Sequence, residues 1–463
     1  MERILKTVLI LGLLSFLCFP LDAFSWSYKE AAQPYKGVTL RYASEDTPIN
    51  HAKKPLILPS FEKETGIKVE WEMYPYSILK QKSEMDLFSK AGYYDLVNMY
   101  SCTSNWWING SHVVGLDKFL KNPKLSNPKL GLEDFSQPTW DRMTLRRGSR
   151  VGLLYYSYAP IYYGRKDLMN HPAEREAFKK KYGYDLAPAK TWDQVRDIAE
   201  FFTRKKGETL AGEVLADNFY GIVMMGKRHE STNLIWMDWI YTFGGSILDK
   251  NNVPTINSQE NIEATEFWKS LWKFSPPGTA EYDYMDVLMS FQQGIVAQSI
   301  CWSDFAFPLE IPGKSKLAGK MAYGPLPVHP KHQIRVAIVE AMVPIISAYS
   351  KNKEAAFLFL QWNAEKEFET KLAGMGFMAP VRKAVWKDPS LTSGPFAGIY
   401  SAMKDSMDNC LIVFAASPDF LGWPMLNDNF SIMLSEIGMG KKTVKEALDA
   451  AQKQALKVIL EKK

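Results

Sequence analysis

Ring side chains stand beside acidic ones at several places where this chain leaves a regular segment. Glu45 and Asp46 follow a short alternating stretch, Trp106 and Trp107 follow the apolar run ending at Tyr100, and Trp302 and Asp304 follow the one ending at Ile300. Sugars and polyols offer an apolar face for ring stacking and hydroxyls for charged hydrogen-bond partners, so this pairing suits a carbohydrate. Tyr156 and Tyr158 alternate to one side of a strand. Trp236 follows His229 and Glu230 and shares a helix face with Trp239, while Arg382 and Trp423 stand in loop-like sequence. The expected ligand set is therefore Glu45, Asp46, Trp106, Trp107, Tyr156, Tyr158, Trp236, Trp302, Asp304, Arg382 and Trp423. Each has a plainer reading, which for a helical Trp pair is core packing and for Asp46 is a solvated turn or cap.

Other chemistries find little support. There are 6 His, no His-Glu-x-x-His and no Cys-x-x-Cys, so neither a metal site nor a cofactor is expected. A glycan hydrolase would need two carboxylates across a scissile bond, one with a raised pKa. Asp46 and Asp304 are the pair that could be nominated. A polyamine would want several carboxylates around aromatic rings, for which Glu45, Asp46 and Asp304 are available.

These residues must be held by α/β elements. Val38–Tyr42, Ile67–Met73 and Asp95–Tyr100 read as strands, with helices predicted over Lys54–Thr65 and Tyr76–Ala91 between them. That rhythm implies right-handed crossovers and a parallel sheet, whose carboxyl edge is the usual ligand edge. Val151–Tyr163 reads as one long apolar strand and Ile295–Ile300 as another. Thr191-Trp192-Asp193-Gln194 is a capping box opening a further helix.

At 463 residues the chain is too long for one core. Apolar residues form 46% and charged residues 23%, a globular balance, and the net charge of +5 is spread out, which argues against nucleic acid. Arg3 and Lys6, the apolar run Thr7–Phe19 and the small residues Ala23 and Ser25 form a secretory leader with cleavage expected near Ser25 and no lipid-attachment motif. A periplasmic destination follows. Beyond the leader lie Cys102, Cys301 and Cys410, and Cys102 and Cys301 are expected to remain unbridged.

Phe61-Glu62-Lys63-Glu64-Thr65-Gly66-Ile67-Lys68-Val69, Tyr94-Asp95-Leu96-Val97, Arg165-Lys166-Asp167-Leu168 after Tyr163, Lys190-Thr191-Trp192, Phe291–Ala297 running into Trp302, Ala379-Pro380-Val381-Arg382 and the Thr443–Leu448 cap form an ordered series. In that order they resemble the extracellular solute-binding proteins of ABC importers, the family that includes maltose-binding protein. The resemblance implies an α/β, two-lobed type II periplasmic-binding-protein fold and a non-enzymatic, monomeric receptor. Such a receptor passes a mono- or oligosaccharide or polyol to membrane permease subunits. It also implies a division into leader 1–25, first lobe 26–155 and 324–385, and second lobe 156–323 and 386–463. Crossings are expected near Leu154–Tyr158, Tyr323–Leu326 and Lys383–Lys387. Gly164 and Gln298 depart from the family pattern.

Overall fold

The computed structural model describes residues 26–100, 107, 110–135, 140–141, 144–146, 148–409, 411–412 and 422–460. The expected leader, residues 1–25, and Cys102, Trp106 and Cys410 lie outside the described residues.

The first five elements follow the predicted rhythm: β1 (Thr39–Glu45), α1 (Pro48–Thr65), β2 (Lys68–Tyr74), α2 (Tyr76–Ser89) and β3 (Leu96–Tyr100). β1 pairs in parallel with both β2 and β3. Helix α1 begins six residues before the predicted Lys54, because Thr47 caps it by accepting from the Asn50 N–H and Pro48 takes the first helical position. It tolerates Pro55 and Pro59 and stops at Gly66, whose φ of 71° suits glycine.

The predicted strand Val151–Tyr163 divides in two. β4 (Tyr156–Tyr158) and β5 (Pro160–Arg165) belong to different sheets, so the chain passes between them at Ala159. β5 is central in a second sheet, flanked antiparallel by β6 (Gln298–Trp302) and β7 (Met321–Gly324). β8 (Glu340–Ile346) returns to the first sheet, antiparallel to β3 and β4, giving the order β2-β1-β3-β8-β4. The result is the two-lobed α/β architecture.

Sheet membership moves two expected crossings. The first falls at Ala159, just after the 154–158 range. The second lies near Val339 and Glu340 instead of 323–326. Val328 still bridges to Thr191, Val336–Ala337 pairs with Leu411–Ile412, and the Ile338 N–H donates to Asp238 Oδ1. The missed feature is a buried aspartate holding that segment to the second lobe.

Gly164 and Gln298 are partners across β5 and β6. Gly164 continues the strand between Gln298 and Ala322, and a Cβ there would lie 2.9 Å from the Tyr162 ring. The ring uses that room to donate its hydroxyl to Gln298 Oε1 at 3.0 Å, while Gln298 Nε2 donates to the Val195 carbonyl at 2.8 Å. The buried glutamine thus has both of its polar groups satisfied.

Candidate functional site

The ends of β1 and β3 in the first sheet and of β6 in the second meet over one cleft. From the first lobe come Glu45 at the end of β1, Thr47 at the α1 cap, Tyr76 opening α2, Tyr100 ending β3, Tyr156 and Tyr158 on β4, and Glu340 opening β8. The second lobe adds Trp302 at the end of β6 and Asp304 and Phe305 just after it. It also contributes the starts of two helices, α3 (Glu230–Thr242) and α4 (Tyr284–Gln293), through His229, Glu230, Ser231, Leu234 and Tyr284.

Two aromatic walls bound this space. Tyr156, Tyr158 and Trp302 form one, with ring centroids 5.5 and 5.2 Å apart. Tyr100, Tyr76, His229, Tyr284 and Phe305 form the other, in successive ring contacts of 5.0, 5.5, 5.7 and 4.7 Å that run from one lobe into the other. Hydrogen bonds also cross the gap. Tyr76 of the first lobe donates to Glu230 Oε2 of the second, and Tyr284 of the second donates to Glu45 Oε1 at 3.3 Å. The lobes are closed on each other. The free space they enclose is about 50 Å³, a few times the ~10–15 Å³ one water needs on that measure.

Among the described residues four carboxyls line the cleft, Glu45, Glu230, Asp304 and Glu340, and no lysine or arginine does. Glu45 is pushed up to about 8, chiefly by burial and next by Asp304, although Tyr284 opposes the shift. Burial also raises Asp304 to about 7 against the backbone N–H groups of Asp304 and Phe305. Glu230 is raised by burial, opposed by Lys80 and Tyr76. His229 caps α3 by accepting from the Ser231 N–H, and burial holds it down at about 4, so its ring is uncharged at neutral pH. Among the described residues no three His, Cys, Asp or Glu side chains are grouped to hold a metal ion.

Glu45, Tyr156, Tyr158, Trp302 and Asp304 are the expected residues that the fold brings together. Others go elsewhere. Asp46 points outward and pairs with His51 at 2.5 Å, which removes the Asp46–Asp304 hydrolase pair. Trp107 is buried beside Glu84 on α2, outside the cleft lining. Trp236 is core: its indole donates to Thr265 Oγ1 at 2.9 Å, because it lies nearly two turns past the helix start that faces the cleft. Trp423 sits behind the lining, buried next to Glu230.

Arg382 is wholly structural. At 1% exposure it pairs with Glu369 at 3.3 Å, donates to the Gly131 and Ala364 carbonyls and lies over the Phe135 ring. Cys301 is a free, buried thiol.

The tyrosines at positions 76, 100 and 284, with Glu230 and Glu340, were not selected from sequence. Tyr76 and Tyr284 are first residues of helices whose N-termini face the cleft, a position the capping signal Asp283 marks for Tyr284. Glu340 is a lone carboxylate within the apolar run Val336–Ile346.

The model of the bacterial extracellular solute-binding proteins matches residues 43–370. This chain belongs to that family. Among solved members, a solute-binding protein from Agrobacterium radiobacter in complex with ribitol is 26% identical. It aligns over 91% of this chain and 99% of its own, with a TM-score of 0.78. A mannitol-binding protein of Pseudomonas aeruginosa is 22% identical over 73% of this chain and 72% of its own length. A probable amino-acid ABC transporter periplasmic-binding protein of Sinorhizobium fredii is 23% identical over 72% and 70%. Family members are receptors, and the crossed hydrogen bonds of the cleft are the geometry of a receptor whose lobes close.

Proposed function

We propose that this protein is an exported receptor that closes its two lobes on a small polyol or monosaccharide and hands it to the permease of an ABC importer. The cleft carries this reading. Ring faces from both lobes suit the C–H face of a polyol, and the carboxyls suit its hydroxyls. The small enclosed space favours one sugar unit over an oligosaccharide. The ribitol and mannitol ligands of relatives agree in class. Export is supported by the charged, apolar and small-residue segments of residues 1–25.

Closure follows from population shift. A solute that bridges both walls binds the closed form better than the open one, and its differential affinity sets how far the balance moves. Chemistry on the ligand has no part in this role.

Tryptophan fluorescence titrated with polyols, monosaccharides, amino acids and polyamines tests the reading, with product analysis of the same samples. A saturable response to a polyol or sugar that is recovered intact is the expected result. A response confined to amino acids, or a cleaved glycan, overturns it.

A further inference from the structure

We propose that the captured solute carries an ammonium group as well as hydroxyls, as an amino polyol or amino sugar does. This inference rests on the reading of the cleft as a small-polyol site and narrows it.

The lining is lopsided in charge. Glu45, Glu230, Asp304 and Glu340 converge on it from both lobes, with Asp46 adding to the negative field at Glu45. The nearby cations stand outside. Lys227 is tied to Asp283 at 2.8 Å, and Lys80 acts on Glu230 from α2 without lining the space. His229 is uncharged at neutral pH. Elsewhere in the chain a buried carboxylate, Glu369, has a guanidinium against it. Burying several carboxyls together with no counter-charge is costly unless protons or a partner cation neutralise them.

Two oxygens are also left waiting. Asp304 Oδ1 is enclosed and has no hydrogen-bond partner. Glu230 is 8% exposed, and its Oε1 has no partner either, the neighbouring Trp423 indole not reaching hydrogen-bond geometry. Both residues line the cleft. Most of the other wall residues are tyrosine, tryptophan and phenylalanine rings, which attract a cation by their ring quadrupoles.

An ammonium has three donors and no acceptor, matching a site of acceptors and ring faces. A metal ion fits poorly, since among the described residues no three His, Cys, Asp or Glu side chains are grouped to coordinate one. Placed between Glu45 and Asp304, the ammonium replaces their mutual repulsion by attraction to both lobes at once. Closure then depends on the charge of the ligand.

The test is calorimetric titration of the mature protein with matched pairs: ribitol against 1-amino-1-deoxyribitol, and sorbitol against 1-amino-1-deoxysorbitol. At pH 8 the amine of at least one pair should bind about tenfold or more tighter than its alcohol, the gain expected of one charge-assisted contact. That advantage should shrink as pH falls from 8 to 6, because protons compete for Glu45 and Asp304. Asp304→Asn, checked by circular dichroism for a native fold without ligand, should remove the preference. An amine that binds equally to or weaker than its alcohol overturns the inference and leaves the polyol reading standing. Silence from every pair, with a response to a simple amino acid, overturns both.

Discussion

Two buried charge clusters in this protein are built on opposite rules. Away from the cleft, Glu369 accepts from the backbone N–H groups of Val381 and Arg382 and faces the Arg382 guanidinium. In the cleft, Glu45 and Asp304 face each other from separate lobes, and their donors are tyrosine hydroxyls and backbone groups. Arginine with its partner is architecture. Like charges without a counter-ion mark the place where something else must bind.

Breaking the paired cluster has the largest expected effect. Arg382→Ala strands Glu369 in the core and should lower the unfolding free energy by about 3–5 kcal/mol, measured by urea denaturation. Any folded fraction should bind ligand normally. A weak stability effect with lost binding would return Arg382 to the site.

Trp302→Ala removes one aromatic wall of the cleft. It should weaken solute binding by roughly 10- to 100-fold, on the order of 1.5–3 kcal/mol as for other buried rings, read by calorimetry. Its effect on the unliganded melt should be smaller than that of Arg382→Ala.

Stability against pH separates the clusters further. Glu45 rises from an ordinary 4.5 to about 8 on folding, so its folded form holds a proton that the unfolded form releases. Its contribution is therefore greatest at low pH and is lost as pH climbs from about 4.5 to 8. Asp304 and Glu369, each raised to about 7, contribute in the same direction, so the wild-type slope mixes all three. Glu45→Gln should flatten that slope and raise the melting temperature at pH 8, while leaving the share of Glu369 intact. An unchanged slope would show that the cleft is not closed in the free protein.

The smallest effect belongs to a single hydroxyl. Tyr284→Phe removes one hydrogen bond between lobes and should weaken solute binding by about 5- to 10-fold, near 1 kcal/mol.

Much of this is legible in the sequence, and what is not has physical causes. The strand–helix rhythm from Thr39 to Tyr100 is readable because apolar alternation and the Gly66 stop are local signals. Glu45, Trp302 and Asp304 are readable because they follow strand ends. Arg382, Trp236 and Trp107 mislead, since residue type does not reveal whether a large side chain meets core or cleft. Only tertiary packing decides that: Thr265 claims Trp236, and Glu369 claims Arg382. Tyr76, Tyr100, Tyr284 and Glu340 gain their role from the other lobe, hundreds of residues away for some, and no local pattern encodes that meeting.

The central claim is that a small hydroxylated solute binds between these walls and holds the lobes closed. Thermal melting of wild type and Trp302→Ala against a panel of small polyols, amino polyols and monosaccharides tests it most directly. At about 100 times its Kd such a ligand adds roughly 2.7 kcal/mol to the native state, so at least one should raise the wild-type melting temperature and lose most of that effect in the variant. If no member of the panel shifts the wild type, or if the variant responds equally, the binding site is not this cleft.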